Sequence, residues 1–536
     1  MATSSEIYVE FVELSGHVVA KGTWGATLRA NCLFQSVHLA RPGRRCRLLQ
    51  GSREITPTTP LTALDLSSGT CVQVVWLSSS VAVRCSQSNA SMAFAAIKAD
   101  GSVVTWGHAQ GGGNSSAVAP LLTEGVVQVC GNNGAFVAIK ADGSVVTWGN
   151  ASYGGNSLAA ASLLTEGVVQ VCGNNAAFAA IKADGSVVTW GHAEYGGDSS
   201  AVAQLLTEGV VQVCGNNLAF AAIKADGSVV TWGDASYGGN SSAVASLLTE
   251  GVVQVCGSSR AFAAIKADGS VVTWGNASYG GNSSAVAQFL TAGVVQVCGN
   301  NLAFAAIKAD GSVVTWVNAS YGGNSSAISS LLAESVVRVS GSSKAFAAIK
   351  ADGSVVTWGD ASFGGDSSAV APLLTESVVQ VCGNNAAFAA IKADGSVVTW
   401  GKAFQGGNPS AVASLLTEGI VQLSGTIGAF AAIKADGSVV TWGDASYGGN
   451  SLAAAPLLTE SVVQVCGISS AFAAIKADGS VVTWGNAEYG GDSSAVAQLL
   501  TEGVVQVSGT IEAFAAINGD SSVVTWGDVF FTSHSL

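Results

Sequence analysis

The sequence predicts a mainly β protein: a short α+β head followed by eleven 42-residue, three-stranded antiparallel repeats. Three observations carry that expectation. Eleven tryptophans, Trp106 to Trp526, recur every 42 residues with no insertion or deletion between them. Each repeat holds three short, largely apolar runs separated by turn residues: the β-branched Val168–Cys172, then Phe178–Lys182 and Val187–Trp190 flanking an Asp-Gly turn. The composition also changes near residue 77, where the repeats take over.

The head is read first. Ile7–Gly16 alternates in polarity and ends on a turn residue, and Val18–Lys21 returns as a second strand. Residues 28–40 space Leu28, Cys32, Leu33 and Val37 as a helix does. Segments 46–55 and 71–77 complete a ββαββ order over residues 5–77.

The repeats occupy residues 81–536. In the representative Gly167–Glu208, Asp184-Gly185 is a hairpin tip. A tip centred there pairs Lys182 with Val187 and Ala179 with Trp190. Both faces of the resulting leaf are apolar, so both need cover, and the neighbouring copy supplies it. The tail Asp198–Glu208 is either a short capped helix beginning at Ser200 or an extended connection. Pro120, Pro372 and Pro456 in equivalent positions favour the latter or a brief turn. One repeat does not stand alone; stacked repeats stabilise one another.

Composition narrows the function classes. Gly is 67 of 536 residues, charged residues are 11% and hydrophobic residues 49%, so the chain is not disordered. No apolar run reaches the length of a membrane helix, and the start has no basic, apolar leader pattern. A cytoplasmic or nuclear protein without membrane association is expected. Residues 1–77 carry seven bases and five acids; the remainder carries fifteen and thirty. So acidic a body repels phosphate backbones, and no nucleic-acid partner is expected. The run Arg41-Pro-Gly-Arg44-Arg45-Cys-Arg47 suits an acidic partner or, more simply, a solvated loop.

Chemistry is sparse. Of eleven cysteines, seven share one repeat position that Ser340, Ser424 and Ser508 fill elsewhere, so the position needs a small side chain and not a disulfide or a metal thiolate. No CxxC occurs, the five histidines do not cluster, and the Gly-Gly pairs lack a following Lys-Ser or Lys-Thr. No catalytic residue, metal or cofactor is assigned. Two sets of positions are candidates for binding. One follows the Cys-Gly of each repeat and differs between near-identical copies: Leu218, Arg260, Leu302, Lys344 and Glu512. Loops on a repeat scaffold carry recognition. The other is one aromatic per repeat, such as Tyr237, Tyr279, Tyr321 and Phe363, which either anchors a partner or plugs the gap between repeats.

The motif Gly-Val-x-x-Val-x-Gly, then Ala-Ile-Lys-x-Asp-Gly-x-Val-x-Thr-Trp-Gly, resembles repeats of the regulator of chromosome condensation superfamily. The 42-residue length is nearer its short-repeat branch, represented by the propeller-type bacterial beta-lactamase-inhibitor protein. The resemblance implies β-propeller-type packing, as a continuous open superhelix or a ring with surplus repeats. Residues 5–77, with Arg47-Leu-Leu-x-Gly51 and Leu61-x-x-Leu64-x-Leu66, resemble a ubiquitin-like β-grasp domain. That resemblance implies a partner-binding patch at Leu48 and Val75. Together they imply a non-enzymatic protein-interaction scaffold, an adapter with protein partners that include ubiquitin-pathway components. The alternatives are a guanine-nucleotide exchange regulator of a small GTPase and an inhibitor-like protein binder.

Overall fold

A computed structural model describes residues 6–528, except 14, 16, 26–27, 29, 41–45, 52, 56–58, 60, 65–70, 77–79, 85–92, 301, 318 and 326–327. Arg41, Arg44, Arg45 and Cys85 therefore lie outside the described residues. The chain divides into two compact units, Met1–Leu218 and Ala219–Leu536. Across them, the described residues form one mixed five-stranded sheet and eleven three-stranded sheets.

The first unit opens with strands β1 (Glu6–Glu13) and β2 (Val18–Gly25), helix α1 (Asn31–Ala40), and strands β3 (Cys46–Gln50), β4 (Arg53–Ile55) and β5 (Cys71–Trp76). Their order in the sheet is β2-β1-β5-β3-β4. The neighbours are antiparallel except β1 and β5, which run parallel. The order is ββαβββ, one strand more than the expected ββαββ, because segment 46–55 turns back at Gly51 into the antiparallel pair β3 and β4; β2 is also longer than its sequence signal. Leu33 and Val37 of α1, one turn apart, bury against Phe11, Leu48, Val72 and Val74 of the sheet. Trp24 meets Phe11 edge-to-face at 5.7 Å.

Each repeat makes a sheet whose second strand is central. In the representative copy the strands are Val168–Gly173, Ala177–Lys182 and Val187–Gly191. The hairpin register differs by one residue from the sequence expectation. Ile181 pairs with Val187, Ala180 with Val188, Ala179 with Thr189 and Phe178 with Trp190. The tip explains the shift. Lys182 N–H donates to the Ser186 carbonyl at 2.9 Å, leaving a three-residue loop. Of the loop residues only Gly185 takes positive φ (+80°), so a single left-handed residue closes the turn. A Cβ there would meet the Gly209 backbone nitrogen at 2.6 Å, so the position needs glycine twice over. The Asp184 carboxylate accepts from the Ser186 N–H and hydroxyl and locks the turn.

A one-residue shift exchanges the faces. Phe178, Ala180, Val188 and Trp190 share one face and pack on Ala135, Val137 and Ile139 of the preceding sheet. The rings of Phe178 and Trp190 lie stacked, centroids 5.5 Å apart. The alanines let the sheets approach, as expected of leaves that cover each other. In the second unit the same contact recurs: Phe388, Ala390, Val398 and Trp400 cover Ala345, Ala347 and Ile349.

The sheet edges are blunted. On the third-strand edge the repeat's own tail returns along the strand. Val187 N–H donates to the Leu206 carbonyl, and the Thr189 and Ser199 hydroxyls meet at 3.0 Å. The tail Ser200–Leu205 is a 3-10 helix. Pro120 and Pro372 sit inside the equivalent turns, where they give up one N–H donor of a short helix. Ser200 is not the cap; its N–H donates to Asp198. On the first-strand edge, the Cys130 thiol reaches the Val171 carbonyl of the next sheet at 3.6 Å. Ser340 does the same to Val381 at 3.3 Å. The interchange of Cys and Ser thus preserves a small hydrogen-bond donor as well as a small volume.

Candidate functional site

Two loops of each repeat frame the candidate positions. In the copy around Arg260, the loop Ser258–Arg260 joins the first strand to the second. A 3-10 turn, Ala277–Tyr279, follows the third strand. Asn276 caps that turn by accepting from Ser278 N–H. The two loops are tied together. The Ser258 hydroxyl donates to the Tyr279 carbonyl at 2.8 Å and accepts from Ala261 N–H at 3.1 Å. Asn276 N–H donates to the Arg260 carbonyl at 3.0 Å. Elsewhere Asn132 and Thr426 take the part of Ser258, donating to Tyr153 and Tyr447. Any short side chain with a donor serves.

This frame brings the two sequence-predicted sets together. The Arg260 guanidinium lies over Tyr237 at 4.9 Å and over Tyr279 at 4.8 Å, between aromatics of successive repeats. Lys344 sits likewise between Tyr321 at 5.1 Å and Phe363 at 4.4 Å. The variable residues and the aromatics are one ladder, not two separate surfaces. Where the variable residue is glycine, the ring closes over it: a Cβ on Gly428 would stand 3.0 Å from the Tyr447 ring. The aromatic therefore plugs the space between repeats and adjusts to its neighbour.

Burial changes the reading of the candidate rim residues. Leu218, Arg260, Leu302 and Lys344 are half-buried, and Glu512 is buried. Burial pushes the Glu512 carboxyl above its usual range, and Asp528 nearby adds to the shift. None of the five stands free on a rim. In the head, Leu48 is fully buried and pairs with Val74 on the core face. Val75 pairs with Arg47 on the opposite face and is half-buried. Strand alternation therefore removes Leu48 from the expected patch and leaves Val75 beside Arg47, whose guanidinium pairs with Glu54 at 3.5 Å.

One open cavity of about 500 Å³ lies within the second unit. It gathers the first-to-second-strand loops of successive repeats, with Ser343, Asn385, Ile427 and Ser469 among its lining. The sequence reading grouped these loops on one side of the scaffold but gave no sign that they enclose a cavity. No group of three or more histidine, cysteine or acidic side chains suited to a metal occurs among the described residues. No helix among them is long and apolar enough to cross a membrane.

No protein-family model matches the chain, and no curated protein matches it. Similar solved structures include the computationally designed protein Ika8, at 13% identity over 60% of this chain and 96% of that one, with a TM-score of 0.26. Prp20p from Saccharomyces cerevisiae is 15% identical over 52% of this chain and 72% of its own, with a TM-score of 0.26. The CRINKLY ectodomain of the Arabidopsis thaliana receptor kinase ACR4 is 15% identical over 50% and 93%, with a TM-score of 0.25.

Proposed function

We propose that this chain is a non-enzymatic protein-interaction scaffold: a ubiquitin-like head on a propeller-type repeat body. The observation that carries the reading is the aromatic ladder. A uniform frame holds a side chain that changes from repeat to repeat, from Arg260 to Lys344 to Gly428, while the sheets beneath keep the same packing. An array of that kind varies the half-buried seam between its loops while its sheets stay the same, which suits recognition of proteins. The acidic balance of the body points to basic partner surfaces.

The head is the finer part of the proposal. Its sheet order β2-β1-β5-β3-β4 with one helix packed on it supports a ubiquitin-like fold. The adapter reading assigns the outer face of β3 and β5, at Arg47 and Val75, to ubiquitin-pathway proteins. The test is co-precipitation of ubiquitin-pathway proteins with the full chain and with Arg47→Glu/Val75→Asp. Loss in the variant, with its melting temperature unchanged, supports the adapter. Equal capture by both, or none by either, rejects it.

A further inference from the structure

The scaffold reading leaves a regular surface of the repeat tails unexplained. Each repeat tail ends in Leu-Leu-Thr-Glu or a close variant. The second leucine is buried, as at Leu374 and Leu416 (both 2% exposed). The first is not: Leu331 is 51% exposed, Leu373 53% and Leu415 50%. The same holds at this position in all seven repeats from Leu247 to Leu499. Packing does not require an apolar residue there. The preceding position varies freely among Ser, Gln and Pro, so the copies have diverged where nothing holds them. The exposed position stays apolar throughout, with Phe289 its one change.

Three residues on stands an exposed glutamate, as at Glu334, Glu376 and Glu418. Among the described residues none of these three glutamates pairs with a base; the ion pair seen is Arg47–Glu54, in the head. From Ala219 to Asp528 the chain carries twenty-two acids and eleven bases. An exposed apolar row beside unpaired carboxylates calls for a partner that is both greasy and basic. Like charge disfavours a second copy of this chain.

We propose that the leucine–glutamate row of the repeat tails, centred on Leu331, Leu373 and Leu415, docks a basic amphipathic segment of a partner protein. The leucines bury the segment's apolar face, and the glutamates pair with its lysines or arginines. The proposal rests on the scaffold reading and names the chemistry of its partner.

The probe is a synthetic amphipathic peptide of Leu and Lys, with a Ser and Lys peptide of equal charge as control, titrated into the full chain by fluorescence anisotropy. The Leu/Lys peptide should bind at least about tenfold more tightly than the control. Leu331→Ser/Leu373→Ser/Leu415→Ser should weaken it by about tenfold or more. Glu334→Gln/Glu376→Gln/Glu418→Gln should weaken it too and flatten its salt dependence. All six positions are exposed, and circular dichroism confirms that the variants fold. Equal affinity for the two peptides, or unchanged affinity in the leucine variant, overturns the proposal. So does self-association of the chain, seen by light scattering, that the leucine variant abolishes. Capture through Arg47 and Val75 is read separately, so either idea fails without the other.

Discussion

The indole N–H of Trp358 donates to the backbone carbonyl of Gly322 at 2.9 Å, and residue and partner are thirty-six positions apart. The bond crosses from one repeat to the loop of the one before. It recurs as Trp400 to Gly364 and Trp442 to Gly406. Buried aromatic area and a buried hydrogen bond therefore act at the same seam between sheets. Trp106, in the first repeat, has a buried indole nitrogen with no acceptor among the described residues.

That contrast gives the first expectation. Trp358→Phe strands the Gly322 carbonyl and should cost about 1–3 kcal/mol beyond the lost area. Trp106→Phe loses no such bond and relieves a buried unpaired donor, so it should cost less. Denaturant unfolding of the two variants measures the difference. Equal losses would mean that ring volume alone sets the cost.

The thiols of the first-strand edge give the second. Cys256 donates to the Val297 carbonyl at 3.5 Å, and Ser340 makes the equivalent bond to Val381. Cys256→Ser should be close to neutral, whereas Cys256→Val should cost about 1 kcal/mol by leaving the carbonyl without its donor. Burial holds the Cys466 thiol up at about 11 and Cys46 at about 12. Of the described cysteines only Cys71 is exposed, so it should be alkylated ahead of the other described ones at pH 8, with Cys46 and Cys466 protected until unfolding. Peptide mass spectrometry after timed labelling reads the order.

How much of this was legible in the chain follows from what sets each feature. Repeat length, strand count and the two greasy faces depend on local pattern, and the tryptophan spacing declares them. The one-residue register shift does not, because Asp184-Gly185 is compatible with a two-residue and a three-residue loop. The choice is made by the Lys182–Ser186 bond and the Asp184 cap. Arg260 and Tyr279 were each singled out, yet their contact was not, since a separation of nineteen positions gives no sign of which loops meet. Leu48 was misplaced because a strand's outward face is fixed by its partners; its pairing with Val74 turns it inward.

Glu512 carries the pH expectation. Its carboxyl is raised by burial and by Asp528, so the folded state holds the proton more tightly than the unfolded chain does. Its stabilising contribution is complete below the unfolded carboxyl pKa and is lost as pH rises through the higher folded value. At neutral pH the charged form is therefore a liability. Glu512→Gln should raise the melting temperature at pH 7 and leave it unchanged near pH 3. A variant less stable than the parent at pH 7 would show that the carboxylate has a favourable partner there.

Val317 supplies the last test. It closes a third strand and pairs with Ala303, at a position that is glycine in the other repeats. Its φ is +92°, a region that costs a β-branched residue dearly. The glycines at equivalent places, Gly275 and Gly359, take φ of +102° and +113°. A Cβ on Gly275 would stand 2.9 Å from Ala261 Cα. The backbone of the array thus dictates a left-handed residue here, and Val317 adopts it under strain. Val317→Gly should stabilise the chain by about 1–3 kcal/mol, the strain outweighing the entropy glycine adds to the unfolded state. Gly359→Val should destabilise by a similar amount. If Val317→Gly instead lowers the melting temperature, the side chain's packing against its neighbours is worth more than the strained backbone costs.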